Sequence, residues 1–515
     1  VSVAGAALPA TPDRSRPSAR PAVPAFDVDP DYPVPEHADA PLTLTVPDDW
    51  GALFAVAPLG YYLGARVVVD DDCAAPRLRA GDAGVDRVLD PPDERAAALL
   101  RRVFWLDCLV RDHDTPPTAT DLLDDLSLDA RACRRLDPGE RLARYLDVPF
   151  ERVADSLPEW HLSMYVAPTP DNAAPLPALL DRLAAVYPPE TQPLTGRELM
   201  ERSLDDFYRG HVPSVDVAKP TLRDGRLHGW LAPETPIDVF NALPEAFANR
   251  SRYRDRDGPV RVVVVLNDPA MAGEHDDAAA AYRRRAAEIP LDVTVRRDLS
   301  RAELADAFTA ETDLLHFIGH CETDGLQCPD GSLSASSLPE CNAQTFVLNA
   351  CGSYHEGREL VRKGSVAGAV TYREVLDEQA ATVGTTVARL LVEGFCIERA
   401  VRLARRQIMM GKDYAVVGDG THSLVQASGT PLLGRVRETS DGYRLTCRAP
   451  AVEAAGGVFD APLPGRDRPT LTGGAVIRTL DRAALRSTLV GADFPVVFEG
   501  SVYWANALAE RLASE

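Results

Sequence analysis

Between residue 259 and about 430 the chain alternates short apolar runs with longer amphipathic stretches. Residues 262–266, 291–295, 314–318, 345–348 and 366–370 are the apolar runs, short and nearly continuous, as expected of parallel strands covered on both faces. Helical periodicity over 278–287 and 301–308 supplies crossovers. Two longer helices, 379–392 and 397–409, are closed by Gly394 and Gly411. This pattern predicts an α/β fold, with a three-layer α/β/α domain over 255–430.

The rest of the chain is patterned differently. Residues 1–40 are rich in Pro, Ala and Asp and read as a tail. Strand-like runs at 42–46 and 66–69, then helical stretches at 96–109 and 119–136, predict an α/β or α+β domain over 41–180. Residues 181–254 read as a connecting or accessory region, with a helical pattern entering at 176–186. A run of six charges among nine residues, 250–258, marks a surface connection. The last segment, 431–515, has strand-like stretches at 443–447, 475–479 and 494–498 separated by Gly and Pro, and predicts a small β-rich domain.

A chain of 515 residues is too long for one core. Its formal charge of -22 disfavours nucleic acid and anionic membranes as partners. The basic residues are 52 arginines and only three lysines, Lys219, Lys363 and Lys412. An acidic, lysine-poor surface suits concentrated salt, where carboxylate repulsion is screened, so a halophilic archaeal source is expected. Nine cysteines are too sparse for a secreted disulfide scaffold and are expected reduced. The N-terminal residues lack the pattern of a signal peptide, and the most apolar stretch, 53–69, is interrupted by Pro58, Gly60, Gly64 and Arg66. The expected location is cytoplasmic.

Candidate chemistry sits where two apolar runs end. LLHFIGHCETDGLQC (314–328) and TFVLNACGSY (345–354) each pass from a buried strand into a reactive side chain next to a small residue. Ligands of open α/β sheets gather beyond the carboxyl ends of strands, so neighbouring strands would bring His320 and Cys351 together there. Cys351 would attack a carbonyl, and His320 would promote the thiolate and protonate the leaving amine. The backbone N–H groups of Cys321 and Cys351 are candidate oxyanion donors. No G-x-G-x-x-G or Walker pattern is present, and Ser365 in GSVAG is misplaced for a nucleophile elbow.

These segments resemble a CHAT domain, a branch of the caspase, metacaspase, separase and gingipain superfamily of cysteine peptidases. His316-Phe317-Ile318-Gly319-His320 matches the family's first motif, with His320 in the catalytic place. Asn349-Ala350-Cys351, with Ser353 after it, matches the second. The run Gly368-Ala369-Val370, the acidic position Asp377 and the helices near 379–392 and 397–409 continue the likeness, about 170 residues in all. The resemblance implies a caspase-like fold, cysteine endopeptidase activity on protein or peptide substrates, no cofactor, and control by an activating protein or by self-association.

Where the family has Gly after the catalytic His, this chain has Cys321, which keeps open an inactive scaffold on the same fold. His316 reads as a packed structural histidine or a pocket residue. Asp313, Glu374 and Asp377 are candidates for a pocket that takes a basic side chain, or for solvated surface. Cys321, Cys328, Cys341 and Cys351 lie close in sequence with His320, so a zinc-stabilised structural domain is a further alternative. Their spacings lack the usual cysteine knuckles. The stretch 325–341 reads as a long loop open to movement or cleavage.

Overall fold

The computed structural model describes residues 1–26, 41–111, 121–193, 215–254, 258–268, 272–285, 289–373, 377–408, 413–425, 430–450, 452–453, 455–463 and 469–514. A ten-stranded sheet organises them. Its strands are β1 (Ser163–Val166), β2 (Ala185–Tyr187), β3 (His228–Leu231), β4 (Phe240–Asn241), β5 (Val260–Leu266), β6 (Leu291–Arg297), β7 (Thr312–Ile318), β8 (Ala343–Asn349), β9 (Ala367–Thr371) and β10 (Tyr414–Gly418). They lie in the order β6-β5-β7-β8-β9-β10-β4-β3-β1-β2. The first five in that order are parallel, β10 is antiparallel to β9, and β4, β3, β1 and β2 run parallel to β10.

The helices used below are α1 (Trp50–Leu63), α2 (Pro92–Arg111), α3 (Ala272–Arg285), α4 (Arg301–Thr309), α5 (Tyr354–Lys363), α6 (Asp377–Val392) and α7 (Ile397–Ala404). Side chains alternate across a strand, so each core strand feeds two layers. Val262, Val264 and Leu266 of β5, with Leu314 and Ile318 of β7, pack with α3, α6 and α7. Val265, Leu315, Phe317, Phe346 and Leu348 pack on the other face with Leu304 and Phe308 of α4 and Leu360 and Val361 of α5. The α/β class read from the sequence is borne out in this arrangement. Ser300 and Glu303 close a capping box that starts α4, satisfying backbone donors that would otherwise be orphaned.

Several expectations are revised. Residues 181–254 are more than a connection, because β2, β3 and β4 are hydrogen-bonded into the same sheet as β5–β10. These strands are only two to four residues long, too short to leave a period-2 signature. Residues 1–26 are no free tail. Ala4 and Leu8 are buried against the core built on α1 and α2, and the buried Arg14 donates to the Tyr62 carbonyl at 2.8 Å. Composition under-read this segment because its burial rests on a few small apolar side chains and on arginine hydrogen bonds. The rest of the expected tail, 27–40, lies outside the described residues.

The most apolar stretch becomes α1, capped by Asp49, closed at Gly64 with φ +67°, and buried along most of its length. No described helix is long and apolar enough to cross a membrane. The C-terminal segment forms a five-stranded sheet, but it also carries helices Arg482–Leu489 and Ala505–Ser514, whose Leu485, Leu489, Leu508 and Leu512 fill its core. The segment is β-rich as read, with two helices that the sequence reading did not name.

Candidate active site

The parallel register fixes which residues leave the sheet together. Leu266 of β5 pairs with Ile318 of β7, and Ile318 pairs with Asn349 of β8. Two residues beyond each strand end stand Asp268, His320 and Cys351. All three continue the same alternation phase, that of the α3/α6 face. They sit at the carboxyl ends of the adjacent strands β5, β7 and β8, the edge at which open α/β sheets gather ligands.

A carboxylate and an imidazole are in contact here. His320 Nε2 lies 2.7 Å from Asp268 Oδ2, with the imidazole 52% exposed and the carboxylate 16% exposed. Asn267 holds the loop that carries Asp268. Its N–H donates to the Ile318 carbonyl at 3.0 Å, its Oδ1 accepts from the Leu299 N–H at 2.9 Å, and its Nδ2 reaches the carbonyls of Leu299 at 3.0 Å and Gln327 at 3.1 Å. Asp268 escaped the sequence reading, although it ends the apolar run 262–266 in the same way that His320 and Cys351 end theirs.

Cys351 is half-buried in the turn between β8 and α5. Gly352 makes that turn with φ +68°, the left-handed region that favours glycine, and its N–H donates to the Arg373 carbonyl at 3.2 Å. Thr371 Oγ1 donates to the Ala350 carbonyl at 2.7 Å, and Ser353 Oγ donates to the Leu348 carbonyl at 3.3 Å. The end of β9 thus clamps the turn from one side. From the other, Asn241 of β4 donates to Tyr372 Oη at 3.0 Å and accepts from Tyr354 Oη at 3.1 Å, while Tyr372 Oη donates to the Pro236 carbonyl at 2.7 Å.

Cys321 falls one residue out of phase with His320, which sends its side chain to the opposite layer. It is 3% exposed and packs in the cluster with Val265, Leu326, Leu333 and Tyr354. Burial, reinforced by the nearby Glu356 charge, pushes its thiol well above the usual range. The Gln327 N–H donates to the His320 carbonyl at 2.9 Å, so Cys321 and Leu326 form a pair that exchanges no ladder bond. The Cys321 N–H therefore points away from the strand Gly325–Cys328.

The other candidates separate. His316 is fully buried, and its Nδ1 lies 3.2 Å from Tyr282 Oη on α3. Asp313 accepts from the Arg261 N–H at 2.7 Å near the amino end of β7, the opposite edge of the sheet from His320, which removes it from any pocket there. Asp377 begins α6, and Glu374 lies outside the described residues. Cys328 accepts from Asn267 at 3.6 Å, while Cys341 pairs with Ser365 Oγ at 3.1 Å, so these thiols have separate partners. Among the described residues no group of three or more His, Cys, Asp or Glu side chains forms a metal cluster.

The stretch 325–341 is built rather than loose. Strands Cys321–Glu322, Gly325–Cys328 and Gly331–Leu333 form a small antiparallel sheet, and Leu326, Leu333, Ala335 and Leu338 are buried in the α4/α5 layer. A Cβ at Gly325 would stand 2.3 Å from the Leu333 carbonyl oxygen, so only glycine fits there.

No family model matches the chain. No curated protein matches it. Among solved structures it is similar to the Arg-specific cysteine proteinase gingipain R, at 9% identity and TM-score 0.36, over 56% of this chain and 84% of that one. It is similar also to the complex of RgpB pro- and mature domains from Porphyromonas gingivalis, at 11% identity and TM-score 0.35, over 56% and 86%. A third likeness is to the separase–securin complex of Saccharomyces cerevisiae, at 10% identity and TM-score 0.28, over 39% and 16%.

Proposed function

We propose that this protein is a cysteine endopeptidase of the caspase-like superfamily, with Cys351 as nucleophile, His320 as acid and base, and Asp268 orienting the imidazole. The observation that carries this reading is the shared strand-end register of the three residues, together with the 2.7 Å Asp268–His320 contact. A carboxylate on Nε2 leaves Nδ1 as the nitrogen available to the thiol and stabilises the imidazolium that forms when the thiolate does.

The Cys351 thiolate adds to the scissile carbonyl, and the amine leaves with a proton from His320. Water deprotonated by His320 then releases the acyl product from sulfur. The oxyanion is offered backbone N–H groups at Cys351 and Cys321, the second pointing away from its hairpin partner. Cys321 does not compete as nucleophile, because its thiol is buried and held protonated.

The test is a peptide-substrate panel and an irreversible peptidyl probe in high salt and reductant, with the labelled residue located by mass spectrometry. Labelling is expected on Cys351 in wild type and in Cys321→Gly, and none in Cys351→Ala. Equal labelling of wild type and Cys351→Ala would sink the assignment. Labelling confined to Cys321 would overturn it as well.

A further inference from the structure

At the sheet edge opposite Cys351, the amino ends of β5, β7 and β8 border a cavity of about 700 Å³, within the range of small-molecule sites. The N-terminal segment, the turn after helix Leu176–Asp181, the stretch before β5 and the segment after β10 also line it. Cations converge there in an otherwise acidic protein. Arg182 Nη2 and Arg250 Nη1 both donate to Asp419 Oδ2 at 2.9 Å, so one buried carboxylate answers two guanidiniums. Arg20 brings a third, bonded to the Ala455 carbonyl at 3.4 Å.

Three polar nitrogens of these side chains are buried without a hydrogen-bond partner: Arg20 Nη1, Arg182 Nε and His422 Nε2. Arg182 is 5% exposed and His422 is 8% exposed, and both line the cavity. A guanidinium can only donate, and a neutral imidazole can offer a donor. Carboxylates share the lining. Asp313 is taken up by the Arg261 N–H at 2.7 Å, Glu453 stands 3.7 Å from Arg250 on the exposed rim, and Asp181, whose charge acts on Arg20, is exposed as well. The buried part of the wall is thus rich in donors and short of acceptors. A buried donor without an acceptor is costly, and a ligand rich in acceptor oxygens removes that cost.

We propose that this cavity binds a small phosphate-bearing molecule, its phosphate seated among Arg20, Arg182 and His422. The site is separate from the peptidase machinery, lying beyond the far ends of the same strands. A ligand there contacts the N-terminal segment and the segment after β10 at once, joining parts of the chain that are distant in sequence.

Calorimetric titration of the full chain with inorganic phosphate, at ionic strength held constant with chloride, tests the proposal. Saturable binding is expected, weakened about tenfold or more in Arg20→Gln, the loss of one charge-assisted hydrogen bond. Among the described residues Arg20 makes no ion pair, and Ser423 also lines the cavity, so Ser423→Trp, which occupies that space, is expected to abolish binding. Melting curves without phosphate confirm that both variants are folded. Absence of saturable binding, binding unchanged in both folded variants, or binding of citrate in place of phosphate would each overturn the proposal.

Discussion

Asp268 and His320 meet at 2.7 Å although β6 and α4 intervene between them in the chain, because β5 and β7 are neighbours in the sheet. The contact fixes which imidazole nitrogen faces the carboxylate, and in the proposed mechanism it leaves Nδ1 for the Cys351 thiol. Asp268→Asn keeps the shape and removes the charge. Turnover is expected to fall about 10²-fold or more, within the range of general acid–base contributions, with KM nearly unchanged. Asp268→Glu should recover part of the loss. Full turnover in Asp268→Asn would remove Asp268 from the mechanism.

Asn241 holds two tyrosine hydroxyls behind the Cys351 turn. Asn241→Ala leaves them without it, at a cost of about 1–3 kcal/mol for each buried group that finds no substitute. The urea midpoint should drop accordingly, and labelling of Cys351 should slow because its turn is no longer clamped. A variant as stable and as quickly labelled as wild type would show that the clamp is idle.

Three histidines are buried in neutral form. Burial pushes His161 down to about 3, and His228 and His422 down to about 4, with neighbouring arginines adding to the effect. Unfolding returns each to about 6.5, so between roughly pH 6.5 and 4 the unfolded chain binds more protons than the folded one. Stability therefore rises with pH across that window and is lost as pH falls through it. Urea midpoints at constant salt should decline steadily from pH 7 to pH 4.5. A flat profile would mean that these imidazoles already carry protons in the folded state.

With 77 acidic and 55 basic residues, mutual repulsion is global rather than confined to the site. Dilution from molar salt to about 0.05 M lengthens the screening distance several-fold. Circular dichroism is expected to report loss of structure in step with loss of activity. Unchanged thermal stability across that series would contradict the salt-adapted reading.

Much of the six-strand half was legible because its strands are long enough to carry a pattern. The apolar runs at 314–318 and 345–348 lie inside β7 and β8, and their ends pointed to His320 and Cys351. The other half was illegible for the opposite reason. Phe240–Asn241 spans two residues and gains its place only by pairing with β10 and β3, which no local window contains. The same limit hid Asp268, since an aspartate after a strand is ordinary in so acidic a chain until the register sets it beside His320. Cys321 looked like damage to a glycine position. A one-residue change of phase places its thiol in the core instead.

The pairing of β10 with β4 also governs what can be cut out of this protein. Tyr414–Gly418 is buried at every position, and in the full chain its outer side is covered by Phe240–Asn241. A fragment trimmed to 255–430 would keep β10 but lose that cover, presenting an apolar strand with open N–H and C=O groups to other copies of itself. Such an edge recruits further strands, so the excised fragment is expected to aggregate more readily than the intact chain.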